Sequence, residues 1–161
     1  MTIALRRAWQ QIRYAVALLE TLQPLAQLAA RLFVAQAFFT AGLTKLRDWD
    51  TTLALFADEY QVPLLSPAVA AAAGTAGELG LSVLLALGLA GRLAAAGLSV
   101  VNAVAVISLA EIAPAALQQH QFWGSLLVGL LLWGPGRWSV DAGRLKRLAW
   151  PLRKPFSAAR Q

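Results

Sequence analysis

The stretch PAVAAAAGTAGELGLSVLLALGL, residues 67–89, contains a single ionisable side chain, Glu78. About 20 predominantly apolar residues in a helix cross the ~30 Å hydrocarbon core of a bilayer. The segment is therefore long enough to span a membrane, and its Ala70–Gly80 half is rich in the small residues that let helices approach closely in lipid. This reading makes the chain all-α.

Outward from this segment the pattern repeats. Toward the N-terminus, Leu25 to Leu43 forms another apolar block, interrupted by Arg31 and Gln36. Downstream, Arg92 to Ala113 carries Asn102, and the turn before it is only about Ala90-Gly91-Arg92. Leu117 to Gly134 is the shortest block and ends in Trp133-Gly134-Pro135-Gly136. Four such blocks predict an integral membrane four-helix bundle. In residues 1–24, Leu5, Trp9, Ile12, Val16 and Leu19 recur at helical spacing among Arg6, Arg7 and Arg13. That pattern predicts an N-terminal amphipathic interfacial helix, separated from the first span by a break at Pro24. The expected organisation is thus 1–24 interfacial helix, 25–143 bundle and 144–161 basic cytoplasmic tail. Between the first two spans, Trp49, Leu53, Phe56 and Tyr60 share one helical face. They predict a short surface helix closed by Pro63 and Pro67.

Composition agrees. The 161 residues are 58% hydrophobic and 14% charged, against about 25% charge in ordinary soluble domains. The net charge of +6 does not indicate nucleic acid, because the basic residues flank spans. Arg6, Arg7 and Arg13 precede the first, Arg92 sits in the second turn, and seven Lys/Arg lie from Arg137 onward. The remaining loops hold Lys45 and Arg47 beside Asp48, Asp50, Asp58, Glu59 and Glu111. An excess of positive charge marks the cytoplasmic side. The expectation is a multi-pass protein of a bacterial inner membrane with both termini cytoplasmic. No cleavable signal peptide is expected, since a long polar amphipathic stretch precedes the first apolar block.

Cysteine is absent and His120 is the only histidine. Disulfides, dithiol redox chemistry, thiolate metal sites and bis-histidine haem are excluded for the single chain. No nucleophile–base pair or phosphate-cradling loop occurs, so neither catalytic nor metal-binding residues are expected.

Polar groups inside spans are costly, about 2.5–3.5 kcal/mol for an ionised side chain at the centre, and so invite a functional reading. With Leu25 at the inner boundary, Arg31 lies ~9 Å and Gln36 ~16 Å deep. Glu78 lies ~16 Å from the outer face and Asn102 ~15 Å from the inner one. The expected site is a layer of Arg31, Gln36, Glu78 and Asn102 in which Arg31 pairs with Glu78. It reads either as a pocket for a headgroup such as a quinone, or as interhelical bonding without a ligand. Lys45, Asp48, Glu111 and His120 are expected at the outer face, as a pocket mouth or partner-docking site.

Several short motifs fall in a fixed order. They are Arg31-Leu-Phe, Ala41-Gly-Leu-Thr-Lys45, Val62-Pro63, Gly77-Glu78-Leu-Gly80, Gly91-Arg92, and Gly134-Pro-Gly-Arg-Trp-Ser-Val-Asp141. Together, over about residues 28–143, the chain resembles the DoxX family in its DoxD-like group. The resemblance places Arg31, Gly42, Lys45, Glu78 and Asp141 at recurrent family positions. It implies a four-helix membrane bundle tied to redox enzymes, after the small subunit of a thiosulfate:quinone oxidoreductase. The expected function is an accessory inner-membrane subunit of a redox system that contacts quinone or relays protons; any enzymatic role would be as part of a quinone-linked oxidoreductase complex. The alternative is a non-enzymatic scaffold or maturation partner for a periplasmic redox or metal-handling protein. Expected partners are the lipid bilayer and such a protein, with a homo-oligomer also open and no nucleic acid.

Overall fold

The fold comes from a computed structural model that describes residues 3–149, with side chains described for 6–144. Most of the basic tail lies outside the described residues. Six helices follow in order: α1 Ile3–Arg47, α2 Trp49–Asp58, α3 Pro67–Leu87, α4 Gly91–Ile107, α5 Pro114–Trp133 and α6 Val140–Ala149. The described residues contain no strand beyond an isolated bridge between Tyr60 and Leu109.

By length and composition, α1 and α3 can each cross a membrane, and α4 is a shorter apolar helix. Helix α1 packs on α3, α3 on α4 and α4 on α5, and α5 returns to α1. Val34 and Phe38 of α1, Leu85 of α3, Leu98 of α4, and Leu127 and Leu130 of α5 meet in the central core. A smaller cluster, Phe56 with Ala70 and Ala71, joins α2 to α3. The outer surface is also apolar: Leu93, Val100, Ile107, Leu132 and Trp133 are all more than 60% exposed. Helices that are apolar inside and out match lipid rather than water.

Two boundaries differ from expectation. Helix α1 does not break at Pro24; it runs 45 residues with Pro24 inside it. Proline removes one backbone donor and usually interrupts a helix interior. Here its ring is buried, and the helix resumes at once. Residues 6–23 form an exposed arm continuous with the packed half. At its other end α1 reaches Arg47, which puts Lys45 inside the helix and not in a loop.

The α3–α4 turn and the α5–α6 connection lock together. Gly88 and Ala90 are left-handed, with φ of 66° and 49°. The Asp141 carboxylate accepts from the Ala90 and Gly91 amides at 3.0 and 2.8 Å, which caps the N-terminus of α4. Ser139 Oγ accepts from the Ala142 amide at 3.2 Å and so caps α6. A Cβ at Gly88 would lie 2.5 Å from Ser139 Cβ and 2.6 Å from Arg31 Nη1. Gly88→Ala should therefore destabilise by about 2–4 kcal/mol, from left-handed strain and overpacking. Gly80→Ala, with nothing within 4 Å of the added carbon, should be near neutral when both are melted in detergent.

Candidate functional site

Helix periodicity decides which α1 side chains enter the interior. At ~100° per residue, Lys45 returns to within about 40° of Arg31, whereas Gln36 lies about 140° away. Val34, Ala35, Phe38 and Gly42 share the Arg31 face and are buried. Gln36 is exposed. It has the expected depth but faces away from the other polar groups, so it is not part of the layer.

Glu78 is 7% exposed on the buried face of α3, one turn from Ser82, whose hydroxyl donates to the Glu78 carbonyl. Its partner is Lys45, not Arg31. Lys45 Nζ lies 2.7 Å from both carboxylate oxygens, the only ion pair among the described residues. The register explains the difference. Gly42 packs on Leu79 and Glu78, which brings the last turns of α1 level with the carboxylate. Thr52 then donates to the Lys45 and Asp48 carbonyls at 3.0 and 2.8 Å, which ties α2 over this end.

Arg31 lies lower, level with the end of α3, and is 2% exposed. Its Nη1 donates to the Pro135 carbonyl at 2.6 Å, and Nη2 to Ala86 and Trp138 carbonyls at 3.2 and 3.0 Å. These acceptors lie at or just beyond the C-terminal ends of α3 and α5, where unsatisfied carbonyls favour a cation. Arg31 ties α1 to the end of α3 and to the α5–α6 connection and does not meet Glu78.

The sequence places Asn102 and His120 in different layers, and the structure brings them together. Asn102 Nδ2 donates to the His120 carbonyl at 3.0 Å, and Asn102 Oδ1 lies 2.8 Å from His120 Nδ1. The imidazole stands edge-on to Trp123, with 5.2 Å between ring centroids.

A cavity of about 380 Å³ lies between these groups. Lys45, Glu78, Tyr60, Ser108 and His120 supply its polar edge, and Phe38, Phe56, Val101 and Trp123 much of its apolar wall. Trp123 Nε1 is buried and has no hydrogen-bond partner among the described residues. Burial first, then the Glu78 and Glu59 charges, push the Tyr60 phenol up, so Tyr60 remains an O–H donor. Thus Lys45, Glu78 and His120 of the expected residues line the cavity, and Asn102 stands behind His120. Asp48 is instead the exposed N-cap of α2. Bonds from the Thr51 amide at 3.0 Å and hydroxyl at 2.7 Å hold its carboxyl below the usual range. Glu111 is exposed on the turn after α4 and does not line the cavity. Neither belongs to the mouth, because one is occupied by its own cap and the other faces outward. Trp123 lies one helical turn from His120, a spacing that the polar residues alone do not point to. No group of three or more potential metal ligands occurs among the described residues.

The sequence model of the DoxX family matches residues 26–111, more than half of the chain. No curated protein and no solved structure matches it. The matched region contains Arg31, Lys45, Glu78 and Asn102 and stops before His120 and Trp123.

Proposed function

The chain belongs to the DoxX family, and on that premise we propose that it is a four-pass accessory subunit of a membrane redox system that holds a quinone headgroup in the cavity. The observation that carries this reading is the Lys45–Glu78 pair facing an apolar cavity of about 380 Å³ beside a Trp123 donor with no partner. That volume falls within the ~300–1,000 Å³ of small-molecule sites. An orphaned buried donor supports a ligand that brings an acceptor.

Lys45 and Tyr60 would serve one oxygen of the ring and Trp123 the other, with His120 beside it and Phe38, Phe56 and Val101 excluding water. A bound quinone supplies two-electron, two-proton carrier chemistry. Glu78 orients the Lys45 ammonium through two contacts of 2.7 Å and would be the proton-exchanging group.

The proposed setting is the bacterial inner membrane. Arg6, Arg7 and Arg13 of the α1 arm and the 144–161 tail would meet anionic headgroups on the cytoplasmic side. A reporter active only in the periplasm, fused after Gln161, is expected to be silent; activity would reverse the orientation.

To test the pocket, lipids co-purifying in mild detergent are extracted and quinone is quantified by mass spectrometry. Wild type is expected to carry near-stoichiometric quinone and Glu78→Gln much less. Equal, trace amounts in both would remove the quinone reading. One observation favours a second reading, a docking scaffold for a periplasmic protein. Asp48, Asp50, Asp58, Glu59 and Glu111 are all exposed at the same end of the bundle, where the Gln61 amide bonds the Ser108 carbonyl at 2.8 Å and ties the two loops together.

A further inference from the structure

The hydrogen bonds behind His120 fix what its ring can offer a ligand. Asn102 Nδ2 donates to the His120 carbonyl, so the amide cannot be turned over without setting oxygen against oxygen. Asn102 Oδ1 therefore faces His120 Nδ1 at 2.8 Å. An amide oxygen only accepts, so Nδ1 must carry the hydrogen. In a neutral imidazole the other nitrogen, Nε2, is then a bare lone pair. Among the described residues the only carboxylate lining the cavity is Glu78, already engaged by Lys45. No other anion among the described residues lines the site to balance an imidazolium.

Nε2 has no partner among the described residues, and its side chain lines the cavity. Close by, across an edge-to-face contact, Trp123 Nε1 is a buried donor without an acceptor. An acceptor and a donor on two neighbouring rings, with centroids 5.2 Å apart, match the two capacities of a hydroxyl group. A hydroxyl donates to Nε2 and accepts from Nε1 at one oxygen atom. A carbonyl oxygen can accept only from Nε1, and it would set its own lone pair against that of Nε2.

We propose that the cavity selects the hydroxyl-bearing, reduced form of its aromatic ligand, a hydroquinone over the corresponding quinone, and that His120, held in one tautomer by Asn102, is the residue that discriminates. The inference rests on the pocket reading above and adds to it the polarity of the recognised group. Asn102 is a positioning residue that acts only through His120.

The test uses full-length protein in detergent, under argon, with duroquinol and duroquinone as probes in equilibrium dialysis. Duroquinol is expected to bind about tenfold or more tighter, the scale of one buried hydrogen bond gained against one repulsive contact avoided. His120→Phe should weaken duroquinol binding and leave duroquinone binding unchanged or tighter, because the opposing lone pair is gone. Asn102→Leu frees the ring to carry its hydrogen on Nε2, so the preference should fall toward unity while binding persists. Equal binding of both probes to wild type, or preference for the quinone, overturns the tautomer inference and leaves the pocket standing. Binding of neither probe overturns both. The wild-type ratio decides even if a variant fails to fold.

Discussion

Arg31→Leu is expected to lower the thermal midpoint in detergent by about 10 °C or more, from a loss of about 3–5 kcal/mol. The guanidinium is the shared donor for the carbonyls of Ala86, Pro135 and Trp138, which lie 55, 104 and 107 residues from Arg31 in sequence. Leucine fills part of the volume and leaves these acceptors without a partner, at about 1–3 kcal/mol for each that stays dry. Lysine keeps the charge, but its single ammonium cannot span the same fork. Arg31→Lys should therefore fall between wild type and leucine. Fluorescence-detected gel filtration after heating reads the effect. A leucine variant melting within about 2 °C of wild type would show that the guanidinium is not a structural tie.

The second large effect concerns Lys45 and Glu78. Removing one member of a buried ion pair leaves the other uncompensated and costs about 3–5 kcal/mol, whereas replacing both with apolar residues is often near neutral. Lys45→Leu and Glu78→Leu should each destabilise strongly, and the double variant should return to within about 1 kcal/mol of wild type. Ligand retention should be lost in all three. That split separates folding from function: a double variant that is stable and still retains quinone would show that the pair serves only the bundle. Additive losses would show that the two groups are not coupled.

Helices α3, α4 and α5 and the packed half of α1 were legible because each is an apolar run bounded by Gly, Pro or charge. Proline at the start of α3 and α5 and Gly88 and Gly134 at the ends of α3 and α5 mark the limits the structure adopts. Pro24 misled because its penalty is local, while the helical segments on either side propagate the helix across it. The polar layer was only partly legible, for a geometric reason. Counting residues gives depth along the helix axis, and depth alone placed Arg31, Gln36, Glu78 and Asn102 together. Azimuth was also available, since the 3.6-residue period already sets Gln36 apart from Arg31 and brings Lys45 onto the Arg31 face. What no count within one helix supplies is the offset between helices. The contact of Gly42 with Glu78, and of Gly88 with Arg31, sets that offset, and it decides which cation the carboxylate meets. The Asn102–His120 bond depends on the same missing quantity, this time between α4 and α5.

The unbroken α1 has a mechanical side. Its 45 residues amount to ~68 Å of rise, and the part ahead of Pro24 to ~32 Å. Proline at 24 leaves the carbonyl of Glu20 without its usual amide, so flexure there sacrifices one bond fewer than at any neighbouring turn. The weakest joint of the rod thus coincides with the point where packing begins. Each 20° of bend at that joint would carry the far tip through an arc of ~11 Å. Its three arginines can thus swing toward or away from a charged surface while the packed half stays still.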